Sequence, residues 1–209
     1  MIPLILKIKK ESHKNIATAQ DIIVQEIYAV FNDAVLHGGT AIWRCFNGNR
    51  FSEDVDVYIL KDINKLNVLF EKLKKRGFTI EKKKISGNSL YSSLKLNRTS
   101  VRFEALFKRI KGSLKEYETV ESNFVTVYTL EPEQLINEKI SAYLSRFKIR
   151  DLYDVFFLLR YVKNKKDINL KKLISNFKKP SDENDLKVLI LEGLVPGSED
   201  MIKYIKSFV

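Results

Sequence analysis

Residues 37 to 59 read HGGTAIWRCFNGNRFSEDVDVYI, and the reading of this stretch decides the fold. A Gly-Gly-Thr turn stands a short, helix-length distance ahead of Asp54-Val55-Asp56. From Asp54 to Leu60 the residues alternate as in a strand, so Asp54 and Asp56 project from one face, roughly 6.5 to 7 Å apart along the backbone. Two neighbouring carboxylates repel, and a cation between them removes that cost. Oxygen-only ligands favour a hard ion such as Mg²⁺, or Mn²⁺, which takes one or two protein carboxylates and lets substrate phosphates complete its shell. Gly38 and Gly39 let the backbone approach closely, and exposed amides at the start of the next helix bind anions. A phosphate-binding turn feeding a metal-binding strand is the equipment of phosphoryl or nucleotidyl transfer.

Taken alone, a Gly-Gly is usually a turn and an Asp-x-Asp a solvated strand face. Their conjunction is far more specific. Gly39-Thr40 is followed by 13 residues and then by Asp-hydrophobic-Asp-hydrophobic. That pattern resembles the signature of the nucleotidyltransferase superfamily related to DNA polymerase β. With Arg50-Phe51-Ser52 just ahead of Asp54, the string is similar to one branch, the AbiEii-like abortive-infection toxins of type IV toxin–antitoxin systems, which include the MenT-type toxins. The resemblance implies an α+β fold, with a polymerase-β-like core of mixed sheet and flanking helices followed by a C-terminal helical subdomain.

A second segment carries the same resemblance. Residues 135 to 159 read LINEKISAYLSRFKIRDLYDVFFLL. Family members place, well after the Asp pair, a helix with a Lys, six residues, an Arg, and then an Arg-Asp that opens the next helix. The matching positions are Lys139, Arg146, Arg150 and Asp151, with Asp154 one turn further on. By helical periodicity Lys139, Tyr143 and Arg146 share one stripe, while Leu135, Ile136, Ile140, Leu144 and Phe147 take the rest and read as core. The bland alternative is a solvated basic face. Between the two segments, residues 100 to 107 read as a strand with a single acid, Glu104, sharing a face with Arg102 and Leu106. Glu104 is the candidate third carboxylate, as metal ligand or base. It is equally placed to pair with Arg102.

The resemblance then assigns roles. Asp54, Asp56 and Glu104 would hold the metal ion, with Asp54, Asp56, Lys139 and Asp151 as the catalytic group. The NTP would be held by Gly38, Gly39 and Thr40 at its β and γ phosphates, and by Arg50, Ser52, Arg146 and Asp154. Lys139 and Arg146 would neutralise the triphosphate or the departing pyrophosphate. The implied acceptor is the 3′ end of tRNA, with growth arrest as the outcome and a separately encoded antitoxin as partner.

Composition bounds the rest. At 209 residues, 44% hydrophobic and 30% charged, the chain is globular, long enough for a core with an attached subdomain. One cysteine, Cys45, excludes an internal disulfide and fits a reducing cytoplasm. No apolar run approaches the ~20 residues of a membrane span, and the opening Ile2-Pro3-Leu4-Ile5-Leu6 lacks the order of a secretion signal and reads as an edge strand or arm. His13 and His37 form no zinc pattern, and His37 reads as the end of a strand. The formal net charge of +11 arises from 37 basic and 26 acidic residues. Basic clusters at 7–10, 72–76, 82–84, 163–166, 171–172 and 178–179 attract polyanions, which favours an RNA acceptor over a lipid surface. A Lys-rich surface habit, with only three Gln, is the competing explanation.

Pattern reading places helices at 15–32, 40–46 and 63–76, the last ended by Gly77. Strands fall at 34–37, 54–60, 78–85, 89–96, 100–107 and 123–129, with Gly87-Asn88 as a hairpin turn. Helices follow at 132–147, 151–162, 170–177, 183–192 and 199–208. The division is a nucleotidyltransferase core at 1–130 and a helical subdomain at 131–209 that closes the active-site cleft, the boundary falling near 115–131. Two other functions remain open: nucleotidyl transfer to a protein hydroxyl or a small molecule, and a non-enzymatic nucleic-acid-binding module, against which the Asp pair argues.

Overall fold

The computed structural model describes residues 3–209. The chain forms two compact units. One comprises the residues up to Asn47 with Phe51–Leu130, the other Gly48–Arg50 with Glu131–Val209.

The first unit contains α1 (Leu4–Lys7), α2 (Glu11–Val30), β1 (Val35–His37), α3 (Gly38–Cys45), β2 (Val55–Ile59), α4 (Ile63–Lys75), β3 (Phe78–Ile85), β4 (Ser89–Leu96), β5 (Thr99–Phe107), β6 (Ser113–Glu118) and β7 (Phe124–Thr129). The seven strands make one sheet in the order β3-β4-β5-β2-β1-β7-β6. It is mixed: β2 runs parallel to β5 and β1 to β7, while β1 and β2 are antiparallel. Strand periodicity separates its faces. Val55, Val57 and Ile59 of β2, with Val101, Phe103 and Ala105 of β5, are buried in the core. Ile23 and Ile27 of α2 and Leu66, Leu69 and Leu73 of α4 join them. Asp56, Arg102, Glu104 and Leu106 alternate with those core residues and so project from the opposite face. α4 starts as its sequence dictates, with the Asp62 side chain accepting from the Lys65 amide at 3.0 Å. It ends at Gly77, whose φ of +92° favours glycine.

Three expectations for this unit are corrected. Residues 4–7 form a short helix rather than an edge strand, Ile2 lying outside the described residues. α2 begins at Glu11, a turn earlier than the apolar pattern implies, because an acid in the first turn suits the helix N-terminus without a capping side chain. Residues 113–118, read as boundary, are the edge strand β6, whose pattern SLKEYE buries only its last two residues and lacks a strong strand signal. A buried polar knot also ties α2, α3 and β6. Arg44 meets Asp21 at 2.9 Å and donates to the carbonyls of Ala17 and Glu118, while Tyr117 Oη and the Val120 amide donate to Asp21. Burial raises the Asp21 pKa, and Arg44 opposes that rise.

The second unit is helical: α5 (Pro132–Arg146), α6 (Ile149–Leu158), α7 (Leu170–Ser175), α8 (Leu186–Leu189) and α9 (Ser198–Ser207), with 3₁₀ turns at Leu159–Tyr161, Lys165–Asp167 and Glu183–Asp185. Glu131 and Gln134 form a capping box around Pro132 at the start of α5. Phe147 closes that helix in the left-handed conformation, φ 51°. The helix expected over 183–192 is broken: a 3₁₀ turn and one α-turn give way to Ile190, which bridges antiparallel to Arg50, and Leu191 donates to the Asn49 carbonyl at 2.8 Å. That backbone pairing is what places residues 48–50 with the helical unit rather than with their sequence neighbours. Among the described residues no helix is long and apolar enough to cross a membrane.

Candidate active site

In the first unit, the predicted carboxylates meet at the middle of the sheet. β2 and β5 are neighbours, with Asp56 directly opposite Glu104. Asp54 lies just ahead of β2, two residues from Asp56. Arg102, two residues before Glu104, pairs with both oxygens of Asp54, its Nε standing 3.0 Å from Oδ1, and the same Nε lies 3.3 Å from Glu104 Oε1. The hydrogen bond that Arg102 donates to Asp54 raises the Arg102 pKa further, so this guanidinium stays charged. Sequence reasoning raised Arg102 only as an alternative partner for Glu104, and did not connect it to Asp54.

The glycine turn adjoins these carboxylates. Gly38 opens α3 with φ +72°, and a Cβ there would collide with Oδ2 of Asp56, with Cγ only 3.1 Å away. The position therefore requires glycine twice, for its backbone and for the space that Asp56 fills. Gly39 and Thr40 are buried. The Thr40 hydroxyl donates to the Asp54 carbonyl, and Gln20 Nε2 reaches the carbonyls of Ser52 at 2.9 Å and of Asp54 at 3.5 Å. Both side chains thus fix the loop that delivers Asp54. Thr40's hydroxyl is spent on that loop, leaving backbone amides as this turn's means of holding a phosphate. Gln20 carried no sequence signal, since a glutamine on an amphipathic helix reads as surface; here it is fully buried. Ser52 contributes its carbonyl to Gln20.

A divalent cation fits this donor set. Three carboxylates supply oxygen-only ligands, and a cation already among them, Arg102, shows that positive charge is accommodated there. Among the described residues no three of His, Cys, Asp and Glu converge as a ready-made cage. A Mg²⁺ site that uses one or two carboxylates and borrows substrate oxygens needs none.

In the second unit, a charge network gathers the other predicted residues. Arg50 is buried and bidentate on Asp154, at 2.7 and 2.8 Å. Lys139 lies 2.8 Å from Asp154 and 3.6 Å from Asp151. Arg146 clasps Asp151 with two hydrogen bonds of 2.7 and 2.8 Å. Three cations therefore surround two carboxylates, leaving one net positive charge. Burial alone would raise the Asp154 pKa, but Arg50 and Lys139 outweigh it and hold the carboxyl below its ordinary range. Asp151 and Asp154 are fully buried and α6 supplies both, one turn apart. Their geometry positions the cations. Tyr143, expected on the functional stripe, is buried, and its hydroxyl donates to the Lys178 carbonyl.

Other candidates resolve as structural. His13 stacks on Phe51 with ring centroids 4.0 Å apart, and burial, then Lys10, lowers its pKa. His37 ends β1 and stacks on Tyr58 at 4.1 Å. Burial pushes the Cys45 thiol up to about 12, which rules it out as a nucleophile near neutrality. Part of the basic excess is structural too. Lys72 and Arg76 pair with Glu26, and Lys82 to Lys84 sit on the edge strand β3, where lysines discourage strand pairing between molecules.

Residues 23–194 match the family described as "Nucleotidyl transferase AbiEii toxin, Type IV TA system". Among solved structures, the chain is similar to MenT4, a nucleotidyltransferase toxin from Mycobacterium tuberculosis H37Rv, with a TM-score of 0.68 and 15% identity over 94% of this chain and 82% of that one. It is also similar to JHP933 from Helicobacter pylori, with a TM-score of 0.64 and 20% identity over 95% of this chain and 90% of that one. A nucleotidyltransferase structure from H. pylori, described as putative, gives 0.62 and 20%, over 95% and 93%. At these identities the likeness is one of fold. Comparison with curated proteins gives no match.

Proposed function

The chain belongs to the AbiEii nucleotidyltransferase toxin family of type IV toxin–antitoxin systems, and on that premise we propose that it transfers a nucleoside monophosphate from an NTP, with Mg²⁺, to the 3′ end of tRNA. The observation that carries this reading is the apposition of Gly38 to Asp56, with Glu104 opposite Asp56 on the neighbouring strand. Asp54, Asp56 and Glu104 would hold the ion. Bound there, it supplies charge neutralisation for the phosphates and for the attacking and leaving oxygens. The backbone at the start of α3 cradles triphosphate oxygens, and Gly38 keeps that backbone against the carboxylates. Thr40 and Gln20 hold the Asp54 loop rigid, so that little reorganisation is needed when the nucleotide arrives. In the second unit, Lys139 and Arg146 supply positive charge suited to phosphate, which Asp151 and Asp154 keep oriented while Arg50 keeps Asp154 charged.

The acceptor is read from charge. With 37 basic residues against 26 acidic, the chain suits a polyanion. Lys166 and Lys172 line a polar hollow of about 450 Å³ in the second unit, together with Asn137, Ser141, Asp167 and Asn169. A toxin of a two-component system implies an antitoxin as protein partner. The test is incubation with each α-labelled NTP, Mg²⁺ and total RNA. Label on tRNA 3′ ends supports the proposal; label on protein or on a small molecule, with RNA bare, transfers the same chemistry to another acceptor and overturns the tRNA reading.

A further inference from the structure

Arg102 stands where the carboxylate face needs a positive charge. Its guanidinium takes both oxygens of Asp54, and its Nε also lies 3.3 Å from Glu104. Bidentate pairing takes one lone pair on each Asp54 oxygen, and the planar fork matches carboxylate geometry in a way an ammonium does not. A cation on Asp54 would share those oxygens with the guanidinium and be repelled by its charge, so each weakens the hold of the other. The side chains of Arg102 and Asp54 are 42% and 23% exposed, so the pair is reachable and its separation leaves neither charge stranded in the core.

We propose that Arg102 is a resident counter-ion of the carboxylate face, competing with the divalent ion for Asp54 and Glu104 and so setting the metal concentration at which the site fills. This rests on the assignment of those carboxylates to the metal. It makes Arg102 a positioning residue with two effects. Without metal it holds Asp54 in place and suppresses repulsion among the acids. With metal bound it is displaced from Asp54, which leaves a mobile cation on the same face of the sheet. Neither the Gly-Gly-Thr turn nor the Asp pair announces it; the parallel register that sets Asp56 opposite Glu104 does, by bringing Arg102 to Asp54.

The experiment is titration of the full chain with Mn²⁺ alone, without nucleotide, followed by electron paramagnetic resonance of the free ion. Arg102→Ala should bind Mn²⁺ about tenfold more tightly than wild type, the effect of removing one unit charge a few ångströms away at a half-exposed site. Arg102→Lys, which keeps the charge but loses the fork, should fall between them. Melting gives a second reading: in the metal-free state Arg102→Ala should melt below wild type, and Mn²⁺ should raise its melting point by more than it raises that of wild type. Equal or weaker Mn²⁺ affinity in Arg102→Ala, while Asp56→Ala loses binding, would overturn the competition and leave the metal site standing. Unchanged Mn²⁺ binding in Asp54→Ala and Asp56→Ala would instead remove the metal site, and the competition with it.

Discussion

Gly38 and Asp56 are packed so closely that a single methyl group at residue 38 would occupy the position of the Asp56 carboxylate. The glycine of the phosphate turn and the acid of the strand are thus one device, joined through the antiparallel pairing of β1 with β2, which sets His37 opposite Asp56. Gly38→Ala should therefore strike twice. The left-handed backbone costs about 1 kcal/mol or more for a residue with a Cβ, and the carboxylate must move. We expect transfer to fall at least tenfold with only a modest drop in melting temperature, measured by label incorporation beside thermal unfolding. Activity within twofold of wild type would show that the close approach does not matter.

Thr40 and Gln20 act on Asp54 through its backbone. Thr40→Val keeps the volume and removes the hydroxyl that donates to the Asp54 carbonyl, leaving a buried acceptor poorly satisfied at a cost of about 1–3 kcal/mol. Turnover should fall while the KM for NTP changes little, since the nucleotide's own contacts remain. A large rise in KM with unchanged kcat would instead place the Thr40 hydroxyl on the nucleotide.

Arg50 and Lys139 share Asp154 but should separate in their effects. Arg50→Ala leaves a fully buried carboxylate with Lys139 as its remaining close cation, and should destabilise the second unit by about 3 kcal/mol or more. Lys139→Ala leaves Arg50 on Asp154 and Arg146 on Asp151, so stability should suffer less and turnover more. The exposed Lys206 serves as the surface control. Denaturant unfolding and initial rates on the three variants decide the matter, and identical stability losses at Arg50 and Lys139 would make Lys139 a structural residue.

Acid should weaken the fold through two named carboxylates. Arg76 and Lys72 lower the Glu26 pKa despite its burial, and Arg50 and Lys139 lower that of Asp154. For a carboxylate depressed in the folded state, the contribution is complete above its unfolded pKa and is lost as pH falls through the folded value. Stability should hold from neutrality down to the ordinary carboxylate range and fall below it, and Glu26→Gln should flatten part of that fall. Stability that rose on acidification through this range would contradict the assignment.

The strand-turn-strand core was legible because alternation and glycine punctuation are local: β3, β4, the turn between them and the stop at Gly77 all follow from sequence. The Asp pair and the Lys139 segment were legible through spacing. What escaped depends on partners distant in the chain. β6 needs β7 to be a strand, residues 48–50 join the helical unit through Ile190, Leu191 and Asp154, and Gln20 is inside because two loop carbonyls reach it. Arg102 was visible as a neighbour of Glu104, but only the sheet register couples it to Asp54.

Salt separates acceptor from nucleotide. Phosphate contacts by Lys and Arg release counterions, so the KM for tRNA should climb steeply with ionic strength and that for NTP only weakly. Charge reversal at Lys163 and Lys166 should weaken tRNA use at unchanged NTP affinity. Lys165 makes a less clean probe, since its Nζ donates to the Phe208 carbonyl and lies over that ring. A flat salt response for tRNA would mark the excess charge as a surface habit.

If Asp54 and Asp56 carry the chemistry, label incorporation from NTP will depend on both, and the Asp54→Ala and Asp56→Ala variants decide it. Both should lose transfer by several hundredfold or more while remaining folded, the half-exposed pair lost in Asp54→Ala being worth about 1 kcal/mol at most. Folded variants that incorporate label at the wild-type rate would show that the two carboxylates do not carry the chemistry.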